Sequence, residues 1–311
     1  MKKIILILLA ICLFGCQKQD KELSVVCPSG APSIAFYNEI DNESFHTADA
    51  ASILPELKGD NGSDIIVIDT VNGIKALNAG ANYSLAATIT FGNFYIASTG
   101  NDENGIMDNG DYIVVFSQGA TPDLIFHYIY GNVYDSNLHY VQAVSDAATC
   151  LIKGINIADE ANGIDNQYVD YVMIAEPALT AALSQNNKAS IYTNIQDEYK
   201  KKSNDLQMIQ ASVFVSKKLS LSNAKEYLNN LQETINSILD NPDLFVEGTS
   251  NLSDTEFKDI FGIPNNKIAK KVLDNNSIGL GFMDAYNNKE SIDAFISIFG
   301  LEETNEEIYF K

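Results

Sequence analysis

Apolar positions along the chain follow two alternating rhythms. Strand-like runs fall at residues 23–27, 64–69, 111–118, 139–145, 169–175 and 206–215, and the one at 64–69 is a continuous apolar strand of the kind a parallel sheet buries on both faces. Between them the spacing turns helical: from near Ile34, then 50–57 up to Gly59, 71–78 up to Gly80, 123–130, about 146–157 and 178–184. Residues 83–99 form a long β-rich run broken at Gly92-Asn93, and 190–193 a short strand before an exposed lysine-rich turn at 200–202. Residues 222–239 place Ala224, Leu228, Leu231, Ile235 and Ile238 on one helical face, and 254–261, 264–274 and 289–299 continue as helices. Thr70 is expected to cap the helix that follows it, and Thr121 to cap the next lobe's first helix, with Pro122 at its first position.

Strands alternating with helices predict an α/β fold. Their order predicts two lobes with two crossings: residues 23–99 in lobe one, 100–206 in lobe two, and 207–311 returning to lobe one with the C-terminal helices. Strands at 95–99 and 207–213, paired with each other, are expected to make the hinge. Neither a repeat nor a low-complexity segment interrupts this order.

The first residues read as an address. Lys2 and Lys3 precede an apolar run over 4–14 that is too short for a stable bilayer span and fits a signal-peptide core. The run ends Leu13-Phe14-Gly15-Cys16, similar to a bacterial lipobox. Cleavage before Cys16 and acylation of its sulfur would give a lipid anchor, with 16–22 as a polar tether. The expected location is therefore the outer face of a bacterial cell membrane.

Charge narrows the partners. The 311 residues carry 41 acidic against 20 basic side chains, a formal net charge of −21. Such a chain repels phosphate backbones, which argues against nucleic acid. Every basic residue is a lysine, so the planar fork that usually grips carboxylate, sulfonate or phosphate is missing. Of four cysteines, Cys12 leaves with the signal and Cys16 is the acylation site. Cys27 and Cys150 sit among apolar or small residues in different lobes and are expected as buried thiols. His46, His127 and His139 show no metal-ligand spacing, and phosphate loops, serine elbows and Cys-x-x-Cys pairs are absent from the sequence. No catalytic residue, metal or cofactor is expected.

Several segments together resemble one family. They are the lipobox; Pro28-Ser29-Gly30-Ala31-Pro32-Ser33 after the first strand; residues 64–73, a strand running into a helix start; Gly119-Ala120-Thr121-Pro122-Asp123; and residues 169–178, a strand ending in Glu176-Pro177. In this order they resemble the substrate-binding lipoproteins of ABC importers with the type II periplasmic-binding fold, in the NMT1/SsuA-like group that includes nitrate, alkanesulfonate and thiamin-pyrimidine binders. The resemblance implies a monomeric, lipid-anchored protein that binds a small molecule between two lobes and docks on permease subunits.

In open α/β sheets ligands sit beyond the carboxyl ends of strands, near helix N-termini. That rule and the resemblance together select Ser29, Gly30, Ala31 and Ser33, Asp69 and Thr70, Asn93 and Phe94, Gly119, Ala120 and Thr121, and Glu176 as ligand contacts. Residue chemistry alone also allows plain turns at 30–33 and 119–121, a cap at Thr70, a kink at Gly92 and a hinge cap at Glu176. With no arginine, a neutral or cationic nitrogenous ligand fits Asp69, Asn93 and Glu176 better than a strong anion. Two other classes use the same fold logic: a cofactor-biosynthesis enzyme, which the lipid anchor argues against, and a ligand sensor for a membrane receptor.

Overall fold

The structure is a computed structural model that describes residues 22–158 and 167–311. The signal segment and Cys16 lie outside the described residues. Among these, the strands form two sheets. The first contains β1 (Val25–Pro28), β2 (Phe45–Ala48), β3 (Ile65–Asp69), β4 (Tyr83–Phe91), β10 (Ile209–Ser216) and β11 (Leu280–Asp284), in the order β11-β4-β10-β3-β1-β2. The second contains β5 (Phe94–Ser98), β6 (Ile113–Phe116), β7 (Leu138–Val141), β8 (Tyr171–Ala175) and β9 (Ser190–Asn194), in the order β7-β6-β8-β5-β9. Each sheet and its helices make one lobe of a two-lobed α/β fold.

Helices cover the sheets. They are α1 (Ala50–Lys58), α2 (Thr70–Asn78), α3 (Thr121–Tyr130), α4 (Val144–Lys153), α5 (Ala178–Leu183), α6 (Ile195–Lys202), α7 (Leu221–Asp240), α8 (Asp243–Gly248), α9 (Asp254–Phe261), α10 (Asn266–Asp274) and α11 (Lys289–Ser297). Residues Ala31–Glu39 wind as 3-10 turns. The period-two alternation of strand side chains sorts the first lobe into two layers. Val25, Cys27, Ile65, Val67, Val213 and Val215 face α7, α9, α10 and the 3-10 turns. Val26, Ile66, Ile68 and Phe214 face α1 and α2. Covered on both sides, β1 and β3 contain almost no polar position, which is why they read as apolar runs, whereas β10 also carries Gln210, Ser212 and Ser216. The α7 stripe expected from spacing is the buried one: Ala224, Leu228, Leu231, Ile235 and Ile238. Cys27 and Cys150 are both buried, on β1 and α4, so they occupy different lobes.

Three expectations need correction. The strand at 94–98 lies wholly in the second sheet, paired with β8 and β9, while β10 pairs with β3 and β4. The first crossing is therefore Gly92-Asn93, ahead of the expected exit after Thr99, and the presumed hinge strands do not pair with each other. What joins the crossings is narrower: the Gly92 N–H donates to the Met208 carbonyl at 3.2 Å. An ideal Cβ on Gly92 would lie 2.1 Å from Gln196 Oε1, so the glycine marks a close approach. Finally, Lys200, Lys201 and Lys202 are the last turn of α6 rather than a loop. Asn194 caps that helix, and the lysines sit where the helix dipole favours cations.

Candidate functional site

The carboxyl ends of β1, β3, β6 and β8 carry the expected turns, and the two lobes meet there. At the end of β3, Asp69 does the capping assigned to Thr70: its Oδ1 accepts from the Asn72 N–H at 2.9 Å. Its other oxygen reaches across the gap, where Oδ2 accepts from the Thr121 hydroxyl at 2.9 Å. Burial pushes the Asp69 carboxyl up, against the downward pull of the Asn72 and Thr121 hydrogen bonds and of Lys75.

Thr121 does not cap its helix either. Ala120 holds the cap position with no side-chain bond, and Asp123 Oδ2 instead accepts from the Gly119 N–H at 2.7 Å. This leaves the Thr121 hydroxyl available for Asp69. Thr70 turns inward: its Oγ1 donates to the Gln210 carbonyl at 3.0 Å and lies 2.7 Å from Ser212 Oγ, which lies 2.9 Å from Thr88 Oγ1. Ser33 also faces in, fully buried, and donates to the Gly30 carbonyl at 2.8 Å. These two hydroxyls hold the framework together and are not presented to the gap. Ser29 is exposed, Ala31 is buried, and Ala120 and Thr121 are half-buried. Gly30 and Gly119, one in each lobe's turn, adopt φ of 118° and 76° with nothing within 4 Å of an added Cβ. Their backbone conformation, not crowding, requires glycine.

A second group gathers at the hinge. Asn93 and Gln210 are joined twice: the Asn93 N–H donates to Gln210 Oε1 at 3.2 Å, and Gln210 Nε2 donates to Asn93 Oδ1 at 2.7 Å. Asn93 Nδ2 donates to the Glu176 carbonyl at 3.2 Å. The Glu176 carboxylate accepts from the Thr180 N–H and hydroxyl, at 3.0 and 2.7 Å, and from the Ser277 hydroxyl of the first lobe at 3.2 Å. Burial raises the Glu176 pKa despite those bonds and Lys271. Tyr95 donates to the Ser277 carbonyl, and burial with nearby Glu176 and Asp197 pushes its phenol up to about 12. Phe94 is core, edge-on to Phe116 with centroids 5.9 Å apart.

The candidates therefore separate. Asp69 and Thr121 meet across the lobes, Asn93 and Glu176 meet at the hinge, and Ser33, Thr70 and Phe94 are interior. Gln210, Ser277 and Thr180 escaped the sequence reading. Glu176 followed four residues later by Thr180 is a local signal for a capped helix start, whereas Gln210 and Ser277 lie too far along the chain to be connected by pattern. Among the described residues, no group of three or more His, Cys, Asp or Glu is arranged to hold a metal ion.

No protein-family model matches the chain, and no curated protein does so either. Solved structures do. An ABC transporter structure from Parabacteroides distasonis aligns over 94% of this chain and 99% of its own, with a TM-score of 0.72 and 17% identity. The chain has the two-lobed periplasmic-binding fold. The periplasmic aliphatic sulphonate binding protein SsuA from Escherichia coli aligns over 94% of this chain and 92% of its own, with a TM-score of 0.60 and 12% identity. The ligand binding component of an ABC-type import system from Staphylococcus aureus, solved with zinc bound, aligns over 93% and 96% at 0.60 and 10%. Asp69–Thr121 and Glu176–Ser277 are contacts between the two lobes of this fold.

Proposed function

We propose that the chain is the extracytoplasmic solute-binding component of an ABC importer, acting as a monomer anchored through acylated Cys16. It captures a small neutral or cationic nitrogenous molecule, such as a heterocycle, between its lobes and delivers it to permease subunits. No covalent step is involved; the work is selective binding and closure. One observation carries the choice of ligand: two carboxylates, Asp69 and Glu176, are among the groups that bridge the lobes, in a chain with no arginine. An ionised carboxylate only accepts hydrogen bonds, so amine or ring N–H donors are its natural guests. A sulfonate or nitrate placed there meets like charge and depends on lysines and the α2 and α3 N-termini, with no arginine fork. In the open form, Thr121 and Ser277 release one acceptor each, and ligand N–H groups take their places.

A thermal-shift screen tests this, because a ligand that binds only the folded state raises the unfolding temperature as its concentration exceeds its Kd. Pyrimidines and aminated heterocycles are expected to stabilise the wild type but not Asp69→Asn or Glu176→Gln. Stabilisation by alkanesulfonates or nitrate alone overturns the ligand class. For the anchor, labelled palmitate should enter the full chain in a bacterial host and not Cys16→Ala. Incorporation by both would refute acylation at Cys16.

A further inference from the structure

At the first crossing, both backbone groups and both side-chain polar atoms of Asn93 are committed, and they are shared between the lobes. Two bonds go to the first lobe: the Asn93 N–H donates to Gln210 Oε1 at 3.2 Å, and Asn93 Oδ1 accepts from Gln210 Nε2 at 2.7 Å. Two go to the second: the Asn93 carbonyl accepts from the Glu176 N–H at 3.0 Å, and Asn93 Nδ2 donates to the Glu176 carbonyl at 3.2 Å. Asn93 is buried and Gln210 half-buried, which strengthens these bonds against competition from water. In a regular antiparallel pair the Asn93 N–H would itself meet the Glu176 carbonyl. Here the side-chain amide takes that place and leaves the N–H for the other lobe.

Gln210 is aimed by an irregularity in its strand. Ile209 pairs with Phe91 and Ala211 with Thr90, so Gln210 is an extra residue with no partner on β4. A bulge of this kind turns a side chain out of the ladder. The Ala211 N–H donates to the Thr90 hydroxyl at 3.1 Å, which closes the ladder beside it. Hinges turn through φ and ψ at a few residues. The Asn93 N–H lies on one side of those two bonds and its carbonyl on the other, and each is held by a different lobe. Turning the backbone here therefore pulls one pair of hydrogen bonds apart. The Glu176 pair continues the β5–β8 ladder, in which Phe94 faces Ala175, so the Gln210 pair is the one that yields. We propose that bulged Gln210 and Asn93 form a hinge lock: joined, the pair holds the lobes in their present arrangement, and it parts when one lobe rotates against the other. The lock belongs to the chain itself, whatever the lobes bind.

Amide residual dipolar couplings of the isotopically labelled, ligand-free protein test this, because they report how the lobes are oriented to each other in solution. One alignment tensor is expected to fit both lobes of the wild type. Gln210→Met keeps the bulk of the side chain and removes both bonds to Asn93. In this variant each lobe should still fit a tensor of its own, and the joint fit should be lost. Gln210→Glu keeps an acceptor for the Asn93 N–H but sets a second acceptor against Asn93 Oδ1, so it should lose the joint fit as well. It decides the matter if Gln210→Met no longer fits lobe by lobe. Asp69–Thr121 and Glu176–Ser277 are intact in both variants. A joint fit that survives therefore means that those contacts hold the lobes without the lock, and overturns the proposal. So does a wild type that already needs two tensors. A loss of urea stability with the joint fit unchanged would show that the pair only packs the crossing, which also overturns it.

Discussion

The helix starts of α2 and α3 face each other across the gap, and they are built differently. In the first lobe, Asp69 stands at the cap position and satisfies the helix with one oxygen, leaving the other for its neighbour across the gap. In the second, the cap position is an alanine, and Asp123 reaches back from inside the helix to the Gly119 N–H. Asp123 also accepts from the Tyr140 hydroxyl at 2.9 Å and pairs with His127 at 2.9 Å. In both lobes a carboxylate does the capping, and this is what releases the Thr121 hydroxyl to bridge them. The capping carboxylate of the first start is shared with the opposite lobe, and that of the second serves only its own.

Four substitutions or conditions bear on that contrast. The largest effect is expected at Gly73, where α2 lies so close to the sheet that an ideal Cβ would sit 2.0 Å from Cζ of fully buried Phe214. Gly73→Ala should cost about 3 kcal/mol in urea unfolding, as overpacked cores do, and a neutral result would mean that α2 is held less tightly than its contacts imply. Next, Asp123→Ala strips the second start of its anchor and strands the Gly119 N–H. A loss of about 2 kcal/mol is expected, with deuterium exchange rising first in α3 rather than α2.

The third concerns pH. Burial pulls the His127 pKa down, but Asp123 and Asp135 outweigh it and hold the imidazolium above its ordinary 6.5. A raised folded-state value means that the stabilisation is complete below about pH 6.5 and is lost as the pH rises through the folded value. Stability measured across that window should fall for the wild type and lose this component in His127→Gln; an identical profile in both would show that the second start does not sense this charge. The smallest change in stability belongs to Thr121→Val, within about 0.5 kcal/mol, because it removes one half-buried bond. Its signature is instead a larger radius of gyration by solution scattering, and an unchanged radius would mean that Asp69–Thr121 does not hold the lobes together.

How far the sequence can be read differs along the same contrast. The strand at 64–69 and the helix beginning near 121 were legible because both follow local rules: a continuous apolar run, and a threonine-proline start. Which residue caps was not, since an acid one position earlier or two positions later than a threonine can do the same work. The lysines at 200–202 suggested a solvated turn because three charges in a row hide the helical face carried by buried Ile195 and Tyr199. The hinge was the hardest part. Its defining contacts, Asn93 with Gln210 and Glu176 with Ser277, join residues far apart in the chain and belong to no periodic pattern.

The hydroxyls of Thr88, Ser212 and Thr70, with the Gln210 carbonyl, carry a further consequence. Each hydroxyl owns a single proton, and a carbonyl can only accept. Thr70 spends its proton on Gln210, so Ser212 must give its own to Thr70, and Thr88 must give its own to Ser212. The row is polarised in one direction, towards the strand that re-enters the first lobe. Valine at position 88 would merely leave a lone pair idle, whereas valine at position 70 would strand a proton in the interior, so two equal-looking changes at opposite ends of the row are chemically unequal.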